Sequence, residues 1–98
     1  MFFELLFADE ADHQLDQLEK DQSKAKQLRS VRKTLGLMEV NLRHPSLNTH
    51  KYKSIEGPNG LPVFESYAEN KTPGSYRVFW CYGPKKNQLT ILSILPHP

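Results

Sequence analysis

The chain predicts an α+β fold. Two N-terminal helices pack on one face of a mostly antiparallel four-stranded sheet, in the order β-α-α-β-β-β. Three observations predict it. Residues 2–7 (FFELLF) are a short aromatic and apolar run. Residues 9–20 and 23–41 carry apolar side chains at helical spacing. Residues 63–95 hold three strand-like runs joined by short, turn-rich connections. Segregated helices and strands of this kind make two layers around one core.

The first strand is Phe2–Phe7, whose composition suits a half-buried extended segment. Asp9 is placed to cap the next element. Ala11, Leu15 and Leu18 recur at i, i+4 and i+7, one face of a helix over 9–20. A second helix fits 23–41, with Ala25, Leu28, Val31, Leu35, Met38 and Leu42 as its apolar stripe. Lys24, Lys26, Arg29, Arg32 and Lys33 lie mostly off that stripe. Gly36 weakens the helix interior by about 1 kcal/mol relative to alanine and suggests a close helix–sheet contact. His44-Pro45 ends the segment, because a residue before proline avoids the helical region.

Residues 45–60 (PSLNTHKYKSIEGPNG) are polar, with proline and glycine near both ends, and read as a connection holding one short extended piece. Strands follow at about 63–69, 76–82 and 89–95. The connections NKTPGS and GPKKNQ suit antiparallel neighbours. Alternation places Arg77, Phe79 and Cys81 on one face, and Tyr76, Val78, Trp80 and Tyr82 on the other. LTILSIL is apolar on both faces and so belongs inside the sheet. With the helices on one side, the opposite face is left for a ligand.

Ninety-eight residues suit one domain, 1–98. No apolar run is long enough to span a membrane. The first residues are apolar and then acidic, unlike a signal peptide. The single cysteine, Cys81, excludes an internal disulfide and points to a reducing cytoplasm. Net charge is +2 but unevenly spread. Residues 1–21 hold seven acids and one base, hence −6, and residues 22–98 hold twelve bases and four acids, hence +8. Such a split lets one part meet a polyanion while an acidic helix stays solvated.

The order of elements, read with HPSLNTHKYKSIEG, VFESY, SYRVFW and ILSILPHP, resembles the RelE/ParE superfamily of bacterial toxins, which includes the HigB-like group. SYRVFW, similar to a YRVxY strand, carries most of the resemblance, which covers nearly the whole chain. It implies a toxin of a type II toxin–antitoxin system. Many members are ribosome-dependent mRNA endonucleases (mRNA interferases), whereas the ParE branch poisons DNA gyrase without hydrolysis. Both kinds are neutralised by a cognate antitoxin. A third outcome is a degenerate member that only binds its antitoxin. On the nuclease reading the partners are mRNA and the ribosome, with DNA met only as a complex with antitoxin, and no cofactor.

RNA cleavage through the 2′-hydroxyl needs a base, a cation for the charged phosphorane and an acid for the leaving 5′ oxygen. Arg77 suits the cation role, since a guanidinium grips phosphate through two parallel bonds and keeps its charge. It is expected on the open sheet face, paired at most with an exposed glutamate. His97 is the candidate acid, and Glu65 or Glu69 the candidate base. Lys51, Lys53 and His50 fall where the resemblance brings basic side chains to RNA. Tyr67 and Tyr52 could stack on unpaired bases. His44 is a further candidate at the same mouth. The histidines lack zinc-site spacing, so no metal is expected. One departure from the nuclease pattern stands out. Glu65 and Glu69 put negative charge on a strand that is basic in RelE-type enzymes, and Tyr67 stands where HigB-like chains carry arginine.

Overall fold

The predicted elements are present in the predicted order, with one strand added. In the computed structural model, which describes residues 2–69 and 74–97, the chain runs β1 (Glu4–Phe7), α1 (Asp9–Lys20), a 3-10 turn at Gln22–Lys24, and α2 (Ala25–Val40). It continues through β2 (His50–Tyr52), β3 (Val63–Tyr67), β4 (Tyr76–Tyr82) and β5 (Gln88–Pro96). Among the described residues these make a five-stranded sheet in the order β1-β5-β4-β3-β2. β1 runs parallel to β5, and every other neighbouring pair is antiparallel. The expectation of four strands is therefore corrected to five. β2 is three residues long inside a polar connection, too short for an alternation to stand out. Most of the NKTPGS connection lies outside the described residues.

Both helices lie against the Val78–Trp80 face. Ala11 and Leu18 of α1 and Val31, Leu35 and Met38 of α2 join Val78, Trp80, Leu89, Ile91 and Ile94 in one buried cluster. Ile91 and Ile94 are three residues apart, which in a regular strand would send them to opposite faces. A bulge resolves this. Phe79 faces Ser93 while Trp80 faces Ile91, so Leu92 is the extra residue. The same bulge explains why LTILSIL reads as apolar throughout. β5 is flanked by β1 and β4, as that reading requires.

Three local expectations change. Asp9 does not cap α1: Ala8 holds the cap position without a side-chain bond, and Asp9, Glu10 and Asp12 form an acidic first turn that suits the helix dipole. The second helix begins at Ala25, after a turn capped by Asp21, whose carboxylate accepts from Ser23 N–H at 3.0 Å and Ser23 Oγ–H at 2.6 Å. These bonds hold the Asp21 carboxyl below its ordinary range. Gly36 makes no close contact, since a methyl group there would meet nothing within 4 Å. The glycine that does permit close approach is Gly57, where an added Cβ would lie 2.6 Å from the Leu61 carbonyl oxygen. Its own N–H donates to that oxygen at 3.1 Å, closing the loop that feeds β3.

Beyond Ile91, β5 outruns its partner β1. There the N–H of Ile94 donates to Gln14 Oε1 of α1 at 2.6 Å, so a helix side chain supplies the acceptor that a strand would have supplied. No helix among the described residues is long and apolar enough to cross a membrane.

Candidate functional site

Arg77 alternates with Val78 and so faces away from the helices. Register carries that face across the sheet: Tyr67 pairs with Arg77, Glu65 with Phe79, and His50 with Glu65. His97 follows β5, and its N–H donates to the Ser75 carbonyl at 2.7 Å, continuing the β4–β5 ladder on the side of Arg77. Three strands thus bring His50, Glu65, Tyr67 and Arg77 into one row, with His97, after β5, at its far end.

Arg77 is not the exposed cation that alternation suggested. It is 6% exposed, and Glu65 is 5% exposed. Its Nη1 donates to Ser75 Oγ at 2.6 Å and to the Glu69 carbonyl at 2.9 Å. The guanidinium lies over the Tyr67 ring, 3.8 Å from its centre, a cation–π contact. Nε is buried without a hydrogen-bond partner among the described residues, and stands 3.8 Å from Glu65 Oε2. The physical reason for the correction is lateral. Helices do not cover this face, but aromatic neighbours on adjacent strands do. Tyr67 covers Arg77, and Tyr52 sets its ring edge-on to Phe79 at 5.0 Å.

Glu65 makes a second, shorter contact. Its Oε1 lies 2.7 Å from His50 Nε2. The other ring nitrogen, Nδ1, lies 2.9 Å from the Asn48 carbonyl oxygen. A carbonyl can only accept, so Nδ1 donates. A carboxylate also only accepts, so Nε2 must donate too. The row is imidazole–carboxylate–guanidinium, with the outer face of His50 toward solvent, since its side chain is 46% exposed. The His50 ring also meets Tyr67 edge-on at 5.6 Å.

The other candidates are dispersed. The Glu69 side chain turns to α2 and accepts from Ser30 Oγ–H at 2.7 Å, so only its carbonyl touches Arg77. Lys51 pairs with Phe64 and falls on the opposite face from His50, and Lys53 is exposed in the turn after β2. His44 accepts from Ser46 N–H at 3.1 Å. It lines a groove of about 910 Å³ with Phe3, Arg43 and Tyr82, to which no member of the row contributes. His97 is four residues beyond Ser93, the β5 residue level with His50 across three strand spacings. Sheet spacings put the two backbones roughly 20 Å apart. His97, the expected acid, therefore stands at the opposite end of the row from His50.

Ser75 was not singled out from the sequence, although it stands two residues before Arg77, where alternation puts it on the same face. Cys81 is buried on this face, and burial pushes its thiol up. Among the described residues, no group of three or more His, Cys, Asp or Glu is placed to hold a metal ion.

No family model matches the sequence, and no curated protein is similar to it in sequence. Solved structures are similar in fold. A YoeB/ParE toxin from Agrobacterium tumefaciens superposes with a TM-score of 0.71 at 6% identity, over 98% of this chain and 100% of that one. The archaeal RelE–RelB complex from Pyrococcus horikoshii gives 0.64 at 15% identity, over 98% of this chain and 96% of that one. The YoeB dimer from Staphylococcus aureus gives 0.64 at 13% identity, over the full length of both. The chain has a RelE/ParE-like toxin fold.

Proposed function

We propose that this protein is the toxin-like half of a type II toxin–antitoxin pair and acts as a metal-independent, ribosome-associated mRNA endonuclease in the cytoplasm. The observation that carries the chemistry is the row His50–Glu65–Arg77 on the sheet face away from the helices. Arg77 supplies fixed positive charge for the phosphorane. His50, the exposed member, carries the proton for the leaving 5′ oxygen, replacing His97 in that role. Glu65 orients the imidazole and takes up the 2′ proton as the cycle turns over, so one pair serves as acid and base. Glu69, bonded to Ser30, has no part in it. The likeness to solved toxins over nearly the whole chain supports the toxin reading, and the RelE–RelB complex supports a bound antitoxin as its partner.

A second reading is favoured by one observation. Arg77 is buried under Tyr67 and already bonded to oxygen acceptors, which suits a toxin-fold protein that binds an antitoxin and cuts nothing. Primer extension on translated message after controlled expression separates the two. Cleavage by the wild type, lost in His50→Ala, is expected. Arrest of DNA synthesis without cleavage would point to a gyrase poison. Neither effect, with recovery of a neighbouring gene product in stoichiometric complex, would leave the binding role alone.

A further inference from the structure

The row is closed by its own charges. Glu65 Oε1 receives the His50 Nε2 proton at 2.7 Å, and Oε2 faces Arg77 Nε at 3.8 Å. Two oxygens of one planar anion therefore lie between an imidazole and a guanidinium. A phosphate would present the same pair of oxygens to the same two donors. The fit to Arg77 is incomplete. Nε is within 4 Å of the carboxylate yet makes no hydrogen bond among the described residues, although Arg77 is more than nine-tenths buried. A buried N–H is left without a bond beside an anion 3.8 Å away. The carboxylate bonds one donor and leaves the other short of a bond, whereas a free tetrahedral anion is not held by β3.

We infer that Glu65 is an internal plug in an oxyanion seat formed by His50 Nε2 and Arg77 Nε, and that the ligand class of the seat is a phosphate group. This rests on the reading that Arg77 is the phosphate-facing cation, and it adds a regulation of that site. The resting protein excludes small phosphates because its own carboxylate holds the seat. Occupancy requires the carboxylate to swing out, and a polyanion held by further contacts can drive that where a single phosphate cannot. Glu65 then gates the seat before it takes the 2′ proton, and the negative charge on this strand is the gate.

The test titrates inorganic phosphate into wild type, Glu65→Ala, Glu65→Gln and Glu65→Ala/Arg77→Met. It reads the Arg77 Nε–H resonance and the melting temperature, which rises when a ligand binds only the folded state. The wild type is expected to show little binding. Glu65→Ala is expected to bind at least about tenfold more tightly, as one relieved charge–charge conflict of roughly 1.4 kcal/mol implies. Glu65→Gln should gain less, because the amide removes the charge but keeps the volume. The gain should vanish in the double variant. Equal affinity in all four proteins overturns the plug, as does a gain that survives loss of Arg77. If Glu65→Ala does not fold, Glu65→Gln decides. If neither folds, the carboxylate belongs to the fold and the inference fails. Phosphate binding gained through Arg77 with no RNA cleavage by any variant keeps the seat and removes the nuclease reading. Cleavage by wild type with no gain in Glu65→Ala or Glu65→Gln removes the seat alone.

Discussion

The indole N–H of Trp80 donates to Ser66 Oγ at 2.9 Å, and that oxygen lies 2.8 Å from Thr49 Oγ1. Trp80 and Ser66 are both fully buried. The largest side chain of the core is thus oriented by a small hydroxyl on the next strand, which in turn ties the connection before β2 to the sheet. A buried indole needs such a partner, because its N–H has no water to turn to.

Ser66→Ala removes the acceptor and leaves the indole N–H orphaned. The expected loss is about 1–3 kcal/mol of unfolding free energy. Urea unfolding followed by tryptophan fluorescence measures it. A loss within error of zero would mean the indole finds another acceptor.

Arg77→Ala is expected to destabilise by about 3 kcal/mol, the cost of breaking a buried pair from one side. That differs in kind from the exposed arginine the sequence suggested, worth about 0–1 kcal/mol. Arg77→Lys should recover only part, since an ammonium cannot stack on Tyr67 as a plane. Thermal melts of the two variants decide it, and equal stability of Arg77→Ala and wild type would contradict the burial.

Gln14→Ala strips the acceptor from Ile94 N–H at the uncovered edge of β5. A loss of about 1 kcal/mol is expected. Amide exchange should report it directly, with the Ile94 proton exchanging faster than its neighbours on the β4 side. Unchanged protection at Ile94 would show that water replaces the side chain without cost.

Cys81 has its thiol pushed up by burial, so the folded state prefers the neutral form. A group raised in the folded state contributes stability that is full below its unfolded value and lost as pH climbs toward the folded one. The unfolded thiol titrates near ~8.5. Stability should therefore decline above that pH in wild type and decline less in Cys81→Ala. A disulfide reagent should also label the native thiol only as fast as the protein opens. Prompt labelling of folded protein would refute the assignment.

Legibility followed the length of each pattern. The 12-residue α1 and the seven-residue β4 carry enough repeats for their period to be read, and both are found at the predicted bounds. β2 is too short to show a period, and so the partner of Glu65 could not be identified. Alternation assigned Arg77 to the right face but said nothing of its depth, which depends on Tyr67 reaching over from β3. His50 looked like a loop cation because its partner Glu65 lies fifteen positions further along, beyond a polar connection. The bulge at Leu92 hid in a run whose uniform apolarity masks any change of phase.

The parallel pairing of β1 with β5 has a consequence in time. Glu4 meets Gln88, 84 positions along the chain, through strand pairing and the bond from Gln88 Nε2 to Glu4 Oε1. The hairpin of β4 and β5 closes over a few residues, but the first strand made must wait for the last. Contacts of such separation slow folding, because the chain's freedom is surrendered before the contact repays it. During synthesis, β1 and α1 stay without their sheet until β5 has emerged. Side chains such as Phe3 and Leu5 then remain uncovered, open to capture by a binding partner or a chaperone. This topology postpones the finished sheet until β5 has been made.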